Sequence, residues 1–368
     1  MKMNIYHLVS NKVWGGGEQY VLDLACRQRD AGHYVEIVCR NEPEVIAPFR
    51  AKEFPISTLP LKGLTDLDSG VRLARMVKKR RNTVIHVHNF KNAFTASVAR
   101  SLSENQGLKI VMTRHLVKRG KNSIVYRKLY KEVDRIVFVS NLTREVFVST
   151  NPKIDRSKLS VVHNGVLPTP TTEAVDLHSR FGIAPEKAII LFHGRISPEK
   201  GIDVLLRAVS QLPREKYHLL IFGEGKKHVM KKLREIIVSN NIGECVTFAG
   251  YQTDIQPFVR SCDIAVQPSV MQESLGLANL ESMMWSRAVV TTNNGAQPEY
   301  IVDGRDGILV DPGNPYALAD ALSRLIASPE MRRELGEAAK KRFETDFAYP
   351  RFFDAISNIY NHLWDSNE

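Results

Sequence analysis

Two kinds of apolar pattern alternate along the 368-residue chain. Short runs rich in β-branched residues predict strands, and longer segments with apolar residues every three to four positions predict helices. Helical patterns include 18–30, 70–80, 92–103 and 141–149. The predicted strands are 5–9, 34–39, 83–88, 109–113, 135–140, 159–163, 188–194, 217–223, 245–250, 263–269, 288–294 and 307–310. Apolar strands joined by crossover helices predict an α/β protein with parallel sheets covered on both faces.

The alternation of strands and helices occurs once in each half of the chain, which predicts two Rossmann-like domains. Between the halves, the segment VLPTPTTEAVD at 166–176 contains two prolines and favours an extended linker. We therefore expect an N-terminal domain at 1–168 and a C-terminal domain at 169–349. The final segment, about 350–368, has an apolar helical stripe and is expected to return to the N-terminal domain. Ligands of open parallel sheets bind beyond the carboxyl ends of the strands, so we expect the site in a cleft between the domains.

The formal net charge of +11 is concentrated in the first half of the chain. Residues 1–170 hold 29 Lys and Arg against 14 Asp and Glu, whereas residues 171–368 hold 22 against 26. Basic residues crowd the segments 78–81 and 109–131. They form either a solvated face or a surface that attracts anionic lipid head groups or an acidic acceptor. Nucleic acid is disfavoured because no known binding motif accompanies the charge.

The apolar runs and the cysteines indicate in which cellular compartment the protein is expected. No run reaches the roughly 18 apolar residues of a membrane span, and the first apolar run is too short for a signal peptide. The four cysteines show no metal or redox spacing. We therefore expect a reduced, cytoplasmic protein, with its basic half suited to the inner face of the plasma membrane.

Three consecutive glycines, Gly15, Gly16 and Gly17, follow the first predicted strand and lead into a helix. Without side chains in the way, their backbone N–H groups can approach an anion at the helix N-terminus. The spacing is not that of the dinucleotide fingerprint, which would require glycine in place of Tyr20. The alternative is a plain tight turn.

Charged residues also follow two predicted strands of the second half. Arg195 and Lys200 stand at a strand-to-helix turn, where one guanidinium and one ammonium would suit a diphosphate. A surface salt bridge with Glu199 is the alternative for these cations. After the next strand, the glycine turn with Gly223 and Glu224 would let a nucleotide lie close to the backbone.

Two glutamates, Glu273 and Glu281, bracket a helix that is predicted to begin near Gly276. A helix N-terminus attracts anions whereas carboxylates repel them. A ligand that presents hydroxyls at both ends and phosphates between them would satisfy both groups. A nucleotide sugar has this chemistry, with Glu273 on the sugar and Glu281 on the ribose. The N–H groups expected to meet the diphosphate are those of Ser274, Leu275, Gly276 and Leu277. The alternative is an ordinary helix with one glutamate favoured by the helix dipole and one on the surface.

Together, the segments WGGGE, HGRISPEKG, FGEG, QPSVMQESLGLANLE and NNGAQPEYI resemble the GT-B glycosyltransferases of family four, a retaining group. The likeness spans nearly the whole chain and is strongest over 188–312. Its most specific element is the pair Glu273 and Glu281, with seven residues between them, together with Arg195 and Lys200.

The resemblance implies a nucleotide-diphosphate sugar donor on the C-terminal domain and a glycan or glycolipid acceptor on the N-terminal domain. Transfer would serve cell-surface polysaccharide or lipopolysaccharide synthesis. In this family pattern Arg195 and Lys200 neutralise the leaving diphosphate, and the glycines at 15–17 line the phosphates from the N-terminal side.

The resemblance also implies sites in the first half of the chain. His115 falls where the family often places a histidine near the transferred sugar, and Asn164 lies in a segment similar to the family's N-G-V. The family often has Asp after each, whereas Leu116 and Leu167 follow here.

Retention of configuration follows from the resemblance. It implies front-face attack in which the departing phosphate helps remove the acceptor proton, with no metal and no cofactor beyond the sugar donor. Glu273 is a rival nucleophile if it reaches the anomeric carbon.

Two patterns could instead suggest a metal. The DLD at 66–68 fits a helix cap by Asp66 or Asp68 better than a metal motif. His86 and His88 share one face of a strand, but no nearby cysteine or carboxylate set completes a site. Two other functions stay open: a nucleotide-sugar isomerase or epimerase of the same fold, and a noncatalytic nucleotide-sugar-binding protein.

Overall fold

The computed structural model describes residues 1–169 and 173–365, which form two compact units. Unit 1 comprises Met1–Asn164 and Pro350–Glu368, and unit 2 comprises Gly165–Tyr349. The central residues of the predicted linker, Pro170, Thr171 and Thr172, lie outside the described residues.

Helices and strands alternate along the described chain. The strands are β1 (Asn4–Val9), β2 (Tyr34–Cys39), β3 (Ile56–Thr58), β4 (Thr83–Val87), β5 (Lys109–Arg114), β6 (Arg135–Phe138), β7 (Leu159–Val161), β8 (Ala188–His193), β9 (Tyr217–Phe222), β10 (Val246–Gly250), β11 (Ile264–Gln267), β12 (Ala288–Thr292) and β13 (Ile308–Val310). The helices are α1 (Gly16–Asp30), α2 (Pro43–Ala51), α3 (Leu67–Val77), α4 (Asn92–Ser103), α5 (Ile124–Glu132), α6 (Asn141–Val148), α7 (Leu177–Phe181), α8 (Ile202–Val209), α9 (Lys227–Ser239), α10 (Gln256–Ser261), α11 (Leu277–Met284), α12 (Pro315–Ala327), α13 (Pro329–Asp346) and α14 (Tyr349–Asp365).

Each unit is built on one parallel sheet. The order in unit 1 is β3-β2-β1-β4-β5-β6-β7, and the order in unit 2 is β10-β9-β8-β11-β12-β13. Every residue of β8 and β9 is buried, as expected for central strands covered on both faces. The α/β class and the two Rossmann-like sheets predicted from the sequence are confirmed.

Strand order reverses once in each sheet, between β1 and β4 in unit 1 and between β8 and β11 in unit 2. The loops that leave neighbouring strands on either side of such a point run in opposite directions and open a crevice at the carboxyl ends. The segments that follow these four strands are therefore the positions where ligands bind in this class of sheet.

Several predicted strands run past their real ends by one or two residues. The strand predicted at 263–269 ends at Gln267, and the one predicted at 135–140 ends at Phe138. The short edge strand β3 has no prediction. The DLD segment caps α3 as expected, since the Asp66 carboxylate accepts a hydrogen bond from the Ser69 backbone N–H at 3.1 Å.

Candidate active site

In unit 2, the loop after β8 turns sharply into α8 and presents the two predicted cations. Arg195 is exposed two residues after the strand, and Lys200 ends a single 3-10 turn at Pro198–Lys200. Gly201 follows with φ 67° and serves as the N-cap of α8. A Cβ at this residue would collide with the carbonyl oxygen of Pro268, so glycine lets the turn lie against the loop after β11.

That close approach pairs Lys200 with the first of the two glutamates. Lys200 Nζ donates to Glu273 Oε1 at 2.5 Å, and Ser269 Oγ donates to the same oxygen at 2.5 Å. The side chains of Lys200 and Glu273 are only 22% and 13% exposed, so water screens the pair weakly. The backbone of Glu273 is fixed as well, because its carbonyl accepts from the Ala296 N–H at 3.0 Å.

The predicted phosphate-binding backbone leads directly into α11. Gly276 is the N-cap residue with φ 92°, a left-handed conformation that favours glycine. Within residues 1–169 and 173–365, the N–H groups of Ser274, Leu275 and Gly276 form no hydrogen bond. The N–H groups of Leu277 and Ala278, the first two residues of α11, also lack intrahelical acceptors because of their position, whereas the Asn279 N–H donates to the Gly276 carbonyl at 3.0 Å. This loop and helix start can therefore offer several donors to one anion.

Glu281 lies on α11 near the end of β8. Its Oε2 is 3.5 Å from Nδ1 of His193, the last residue of that strand. Burial lowers the pKa of His193 to about 4, so the ring is neutral at pH 7 and the contact is not an ion pair. His193 Nε2 is buried, and no hydrogen-bond partner for it occurs in the part of the chain that the structure describes.

Gly223 and Glu224 follow β9, the strand beside β8. The Gly223 N–H donates to the Gly250 carbonyl at 2.8 Å, while the Ile196 N–H donates to the Glu224 carbonyl at 2.8 Å. The Glu224 side chain is exposed. The second bond ties the turn after β9 to the segment that carries Arg195, and the first ties it to the end of β10.

In unit 1, the glycine segment begins α1 two residues earlier than predicted. Gly15 is the N-cap in an extended conformation, and Gly16 and Gly17 are the first two helical residues. Glu18 is buried behind them and accepts from Asn11 Nδ2 at 2.5 Å; burial raises the pKa of its carboxyl.

His115 follows β5 and packs against other aromatic rings instead of ending its strand in isolation. Its ring stacks on His88 at a centroid distance of 5.5 Å and meets the edge of Tyr20 at 4.7 Å. Burial lowers the pKa of His115 to about 4. Asn164 is a separate position at the end of unit 1, buried, with its Oδ1 lacking a partner among the described residues.

The sequence predicted which residues follow the strands of unit 2, but it missed three that complete their surroundings. Ser269 shares Glu273 with Lys200, His193 faces Glu281, and Gly201 permits the contact between the two loops. All three lie within the quoted segments HGRISPEKG and QPSVMQESLGLANLE. Their positions at or just after β8 and β11 were the available signal.

Family comparisons agree with this geometry. Residues 14–169 match the model described as Glycosyltransferase Family 4, and residues 176–342 match the model described as Glycosyl transferases group 1. The chain belongs to the family 4 glycosyltransferases. As a family 4 glycosyltransferase it has two Rossmann-like domains of the GT-B fold, as the resemblance in the sequence implied.

Individual relatives show how far the likeness extends. This glycosyltransferase is 29% identical over 250 residues to an uncharacterized glycosyltransferase of Methanocaldococcus jannaschii, a match that covers 67% of this chain and 65% of the relative. It is 27% identical over 301 residues to the lipopolysaccharide core biosynthesis mannosyltransferase LpcC of Rhizobium leguminosarum bv. viciae, covering 80% and 82%.

A solved structure matches this family 4 glycosyltransferase over nearly its full length. Anabaena Alr3699/HepE, crystallised in complex with UDP, superposes with a TM-score of 0.86 at 18% identity, covering 98% of this chain and 100% of HepE. HepE has also been crystallised with UDP-glucose.

Among the described residues of the present chain, none of the helices has the length and apolarity required to cross a membrane.

Proposed function

We propose that this protein is a retaining, metal-independent glycosyltransferase that moves a sugar from a nucleotide-diphosphate donor to a hydroxyl of a glycan or glycolipid. The observation that carries the proposal is that Lys200, Glu273 and the N–H groups of 274–276, which form no hydrogen bond among the described residues, all lie in the loops after β8 and β11. This one location supplies a cation, a carboxylate and backbone donors. Those are the groups that a sugar diphosphate requires.

The donor phosphates would lie on Arg195, Lys200 and the backbone of Ser274 to Gly276. Arg195 is exposed and lies two residues after the end of β8, so it can reach a ligand without breaking a buried contact. The charge that develops on the leaving diphosphate would be stabilised by these fixed cations and dipoles, as in other sites that bind a developing anion. HepE, a protein of the same fold, binds UDP and UDP-glucose.

The hydroxyl-binding roles follow from the positions of the glutamates. Glu281 lies a little over one turn into α11 and would accept from the ribose hydroxyls, and Glu273 would accept from the sugar. His193 Nε2, buried without a described partner beside Glu281, offers one further polar atom to the donor.

Retention is proposed to proceed by front-face attack. Glu273 is a poor nucleophile as it stands, because Oε1 accepts hydrogen bonds from both Lys200 and Ser269. These bonds stabilise the negative charge on the carboxylate and reduce its tendency to attack carbon. A departing phosphate oxygen can take the acceptor proton without a protein nucleophile.

The acceptor is proposed to be a cell-surface glycan or glycolipid, with lipopolysaccharide-type molecules as the leading class. Unit 1 contains the basic segment 109–131, and three apolar side chains in it are strongly exposed: Leu116 at 56%, Ile124 at 73% and Val125 at 49%. Basic residues attract anionic head groups and exposed apolar residues enter the interface, so the combination suits a peripheral contact with a membrane. LpcC, a relative, acts in lipopolysaccharide core synthesis.

A donor screen tests the proposal. UDP, GDP and ADP sugars would be compared by thermal shift, since a ligand that binds the folded state raises its stability, and then by mass spectrometry of transfer products. We expect one nucleotide class to raise Tm and to support transfer that Lys200→Ala abolishes. Lys231→Ala is the matched control, because Lys231 is 80% exposed on α9 and forms a surface ion pair with Glu235 at 4.0 Å.

Three results would contradict the proposal. Full transfer activity in Lys200→Ala would remove the assigned role of that lysine. A product formed from the donor without any acceptor would indicate an isomerase or epimerase, and donor binding without turnover would indicate a binding protein.

A further inference from the structure

Three histidines of unit 1 form a hydrogen-bonded row that we call the histidine chain: His7 on β1, His88 after β4 and His115 after β5. His7 Nδ1 is 3.0 Å from His88 Nε2, and His88 Nδ1 is 3.3 Å from His115 Nε2. At the inner end, His7 Nε2 is 2.7 Å from Oε1 of Gln28 on α1. Nothing in the donor site of unit 2 requires this row.

The rings of the histidine chain are neutral at pH 7. Burial lowers the pKa of His7 and of His115 to about 4, and that of His88 well below its ordinary value. The neighbouring histidines, His86 among them, add to the effect on His88 because two adjacent imidazolium ions would repel each other. Each neutral ring has one N–H donor and one bare acceptor nitrogen, so every hydrogen bond in the row restricts the next.

Gln28 gives the row a direction. Its Oε1 can only accept, so the proton of His7 resides on Nε2 and His7 Nδ1 is bare. His88 Nε2 must then donate to His7 Nδ1, which leaves His88 Nδ1 bare. His115 Nε2 must in turn donate to His88 Nδ1, and the bare nitrogen at the outer end is His115 Nδ1.

The orientation of the Gln28 amide has its own support. The amide group of Gln28 also lowers the pKa of the Tyr360 phenol on α14, although burial raises that pKa overall. An amide whose NH₂ group is directed toward the Tyr360 oxygen has its carbonyl oxygen directed toward His7, where the 2.7 Å contact lies. Gln28 itself is buried, so water does not compete for either end.

We propose that Gln28, His7 and His88 are positioning residues that fix the tautomer of His115, with Nε2 protonated and Nδ1 bare. His115 is partly exposed, and no hydrogen-bond partner of its Nδ1 is found among residues 1–169 and 173–365. A bare imidazole nitrogen accepts a hydrogen bond from a hydroxyl group, which is the group that every sugar presents. The ligand class, a sugar hydroxyl, rests on the proposed function, whereas the tautomer does not.

A metal ion is the competing explanation for clustered histidines. Ring nitrogens of His7, His86 and His88 lie within 4.8 Å of one another. Both nitrogens of His86 already have partners, however: Thr113 Oγ1 at 2.7 Å and the Tyr360 hydroxyl at 2.6 Å. An ion would also need the lone pairs that form the bond between His7 and His88.

Nitrogen NMR of the full-length protein, labelled with ¹⁵N-histidine, tests the proposal directly. Long-range proton–nitrogen spectra at pH 7 distinguish protonated from bare ring nitrogens, and His115→Gln assigns the His115 signals. We expect His115 to be protonated on Nε2 alone. Protonation on Nδ1 in the wild-type protein would overturn the proposal.

Variants of Gln28 test the cause. Gln28→Met removes the acceptor at similar volume, so we expect mixed tautomers at His115 and a roughly 10-fold fall in kcat, the equivalent of one lost hydrogen bond. Gln28→Glu keeps an acceptor toward His7 and should retain the wild-type tautomer. Gln19→Met is the matched control, since Gln19 is exposed on the same helix and bonds only to Asp23 among the described residues.

The remaining outcomes separate the explanations. An unchanged His115 tautomer in Gln28→Met would refute the direction set by Gln28. Stoichiometric binding of added Zn²⁺ that shifts the His7 and His88 signals would replace the histidine chain by a metal site. The expected tautomers in a protein that transfers no sugar would support the histidine chain and count against the proposed function alone.

Discussion

Gly276→Ala should destabilise unit 2 by more than a change of backbone preference alone. Gly276 has φ 92°, where an L-residue costs about 1–2 kcal/mol. A Cβ at this position would also lie 2.8 Å from the Tyr300 hydroxyl and 3.3 Å from Asn279 Nδ2. Those two groups are hydrogen-bonded to each other at 2.8 Å and both are buried, so they cannot move apart freely.

Crowding of this kind costs roughly 1–3 kcal/mol, which brings the total for Gly276→Ala to roughly 2–5 kcal/mol. Gly313→Ala is the matched control, because Gly313 has φ 72° and nothing lies within 4 Å of the position that its Cβ would occupy. It should show the backbone cost alone. For a unit of this size, 1 kcal/mol corresponds to about 2–4 °C in Tm, so the crowding term alone should make Gly276→Ala unfold roughly 2–12 °C below Gly313→Ala.

Thermal unfolding followed by circular dichroism, together with urea titration, would measure both variants. Adding Tyr300→Phe to Gly276→Ala removes the hydroxyl that the Cβ meets, so part of the loss should return. Equal Tm values for Gly276→Ala and Gly313→Ala would refute the crowding, and no recovery with Tyr300→Phe would refute its location.

Three other predictions concern stability and are measured by urea unfolding. Lys200→Met should lower the free energy of unfolding by about 2 kcal/mol, because it leaves the Glu273 carboxylate without its cation. In a Glu273→Gln background the same substitution should cost much less. Additive losses in the double mutant would mean that the two side chains are not coupled. His7 has a pKa of about 6.5 in the unfolded chain and of about 4 in the folded protein. Its contribution to the free energy of unfolding is therefore fully present above pH 6.5 and is lost as the pH falls toward 4. Between pH 7.5 and 5.0, wild-type protein should lose about 2 kcal/mol more than His7→Asn, and parallel pH profiles would contradict the burial of a neutral ring. Asp66→Ala should lower the free energy of unfolding by about 1–2 kcal/mol, because it removes the N-cap of α3. Asp68→Ala removes only an exposed ion pair at 3.7 Å and should cost under about 0.5 kcal/mol. Equal losses in the two variants would exclude the cap.

A further prediction concerns the membrane. Vesicles with anionic lipid should bind the protein at low salt and release it as salt rises, because the attraction is screened within a Debye length. Ile124→Ser should weaken binding while Val238→Ser, an equally exposed apolar residue of unit 2 at 78%, should not. Binding of neutral vesicles with the same strength would contradict an electrostatic contact.

The sequence predicted the fold well because apolar strands and crossover helices are local patterns. Strand β9 was predicted over 217–223 and occurs as Tyr217–Phe222, and α4 occurs over the predicted residues. Strand β3 was missed because three residues, of which none is buried, do not form a recognisable period. α2 was also absent from the predicted helices; it contains two prolines, Pro43 and Pro48, which obscure a helical pattern.

Contacts between distant segments could not be predicted in the same way. The sequence predicted Lys200 as a ligand of the diphosphate and Glu273 as a ligand of the sugar. It could not predict the bond between these two side chains, because that bond depends on how the loops after β8 and β11 approach each other. The histidine chain has the same origin. His86 and His88 were considered together because they are close in sequence. The row that forms instead joins His88 to His7 on β1 and to His115 in the segment after β5.

The return of α14 to unit 1 has a consequence for the order of folding during synthesis. Unit 2 has all its residues once Tyr349 has emerged from the ribosome, and its two ends are already paired through the bridge between Val166 and Ala348. Unit 1 begins first but remains incomplete until Tyr360 arrives to bond His86. In most proteins of two domains the N-terminal domain folds first during synthesis. Here unit 2 can complete its fold before unit 1, because unit 1 lacks α14 until that helix has been synthesised.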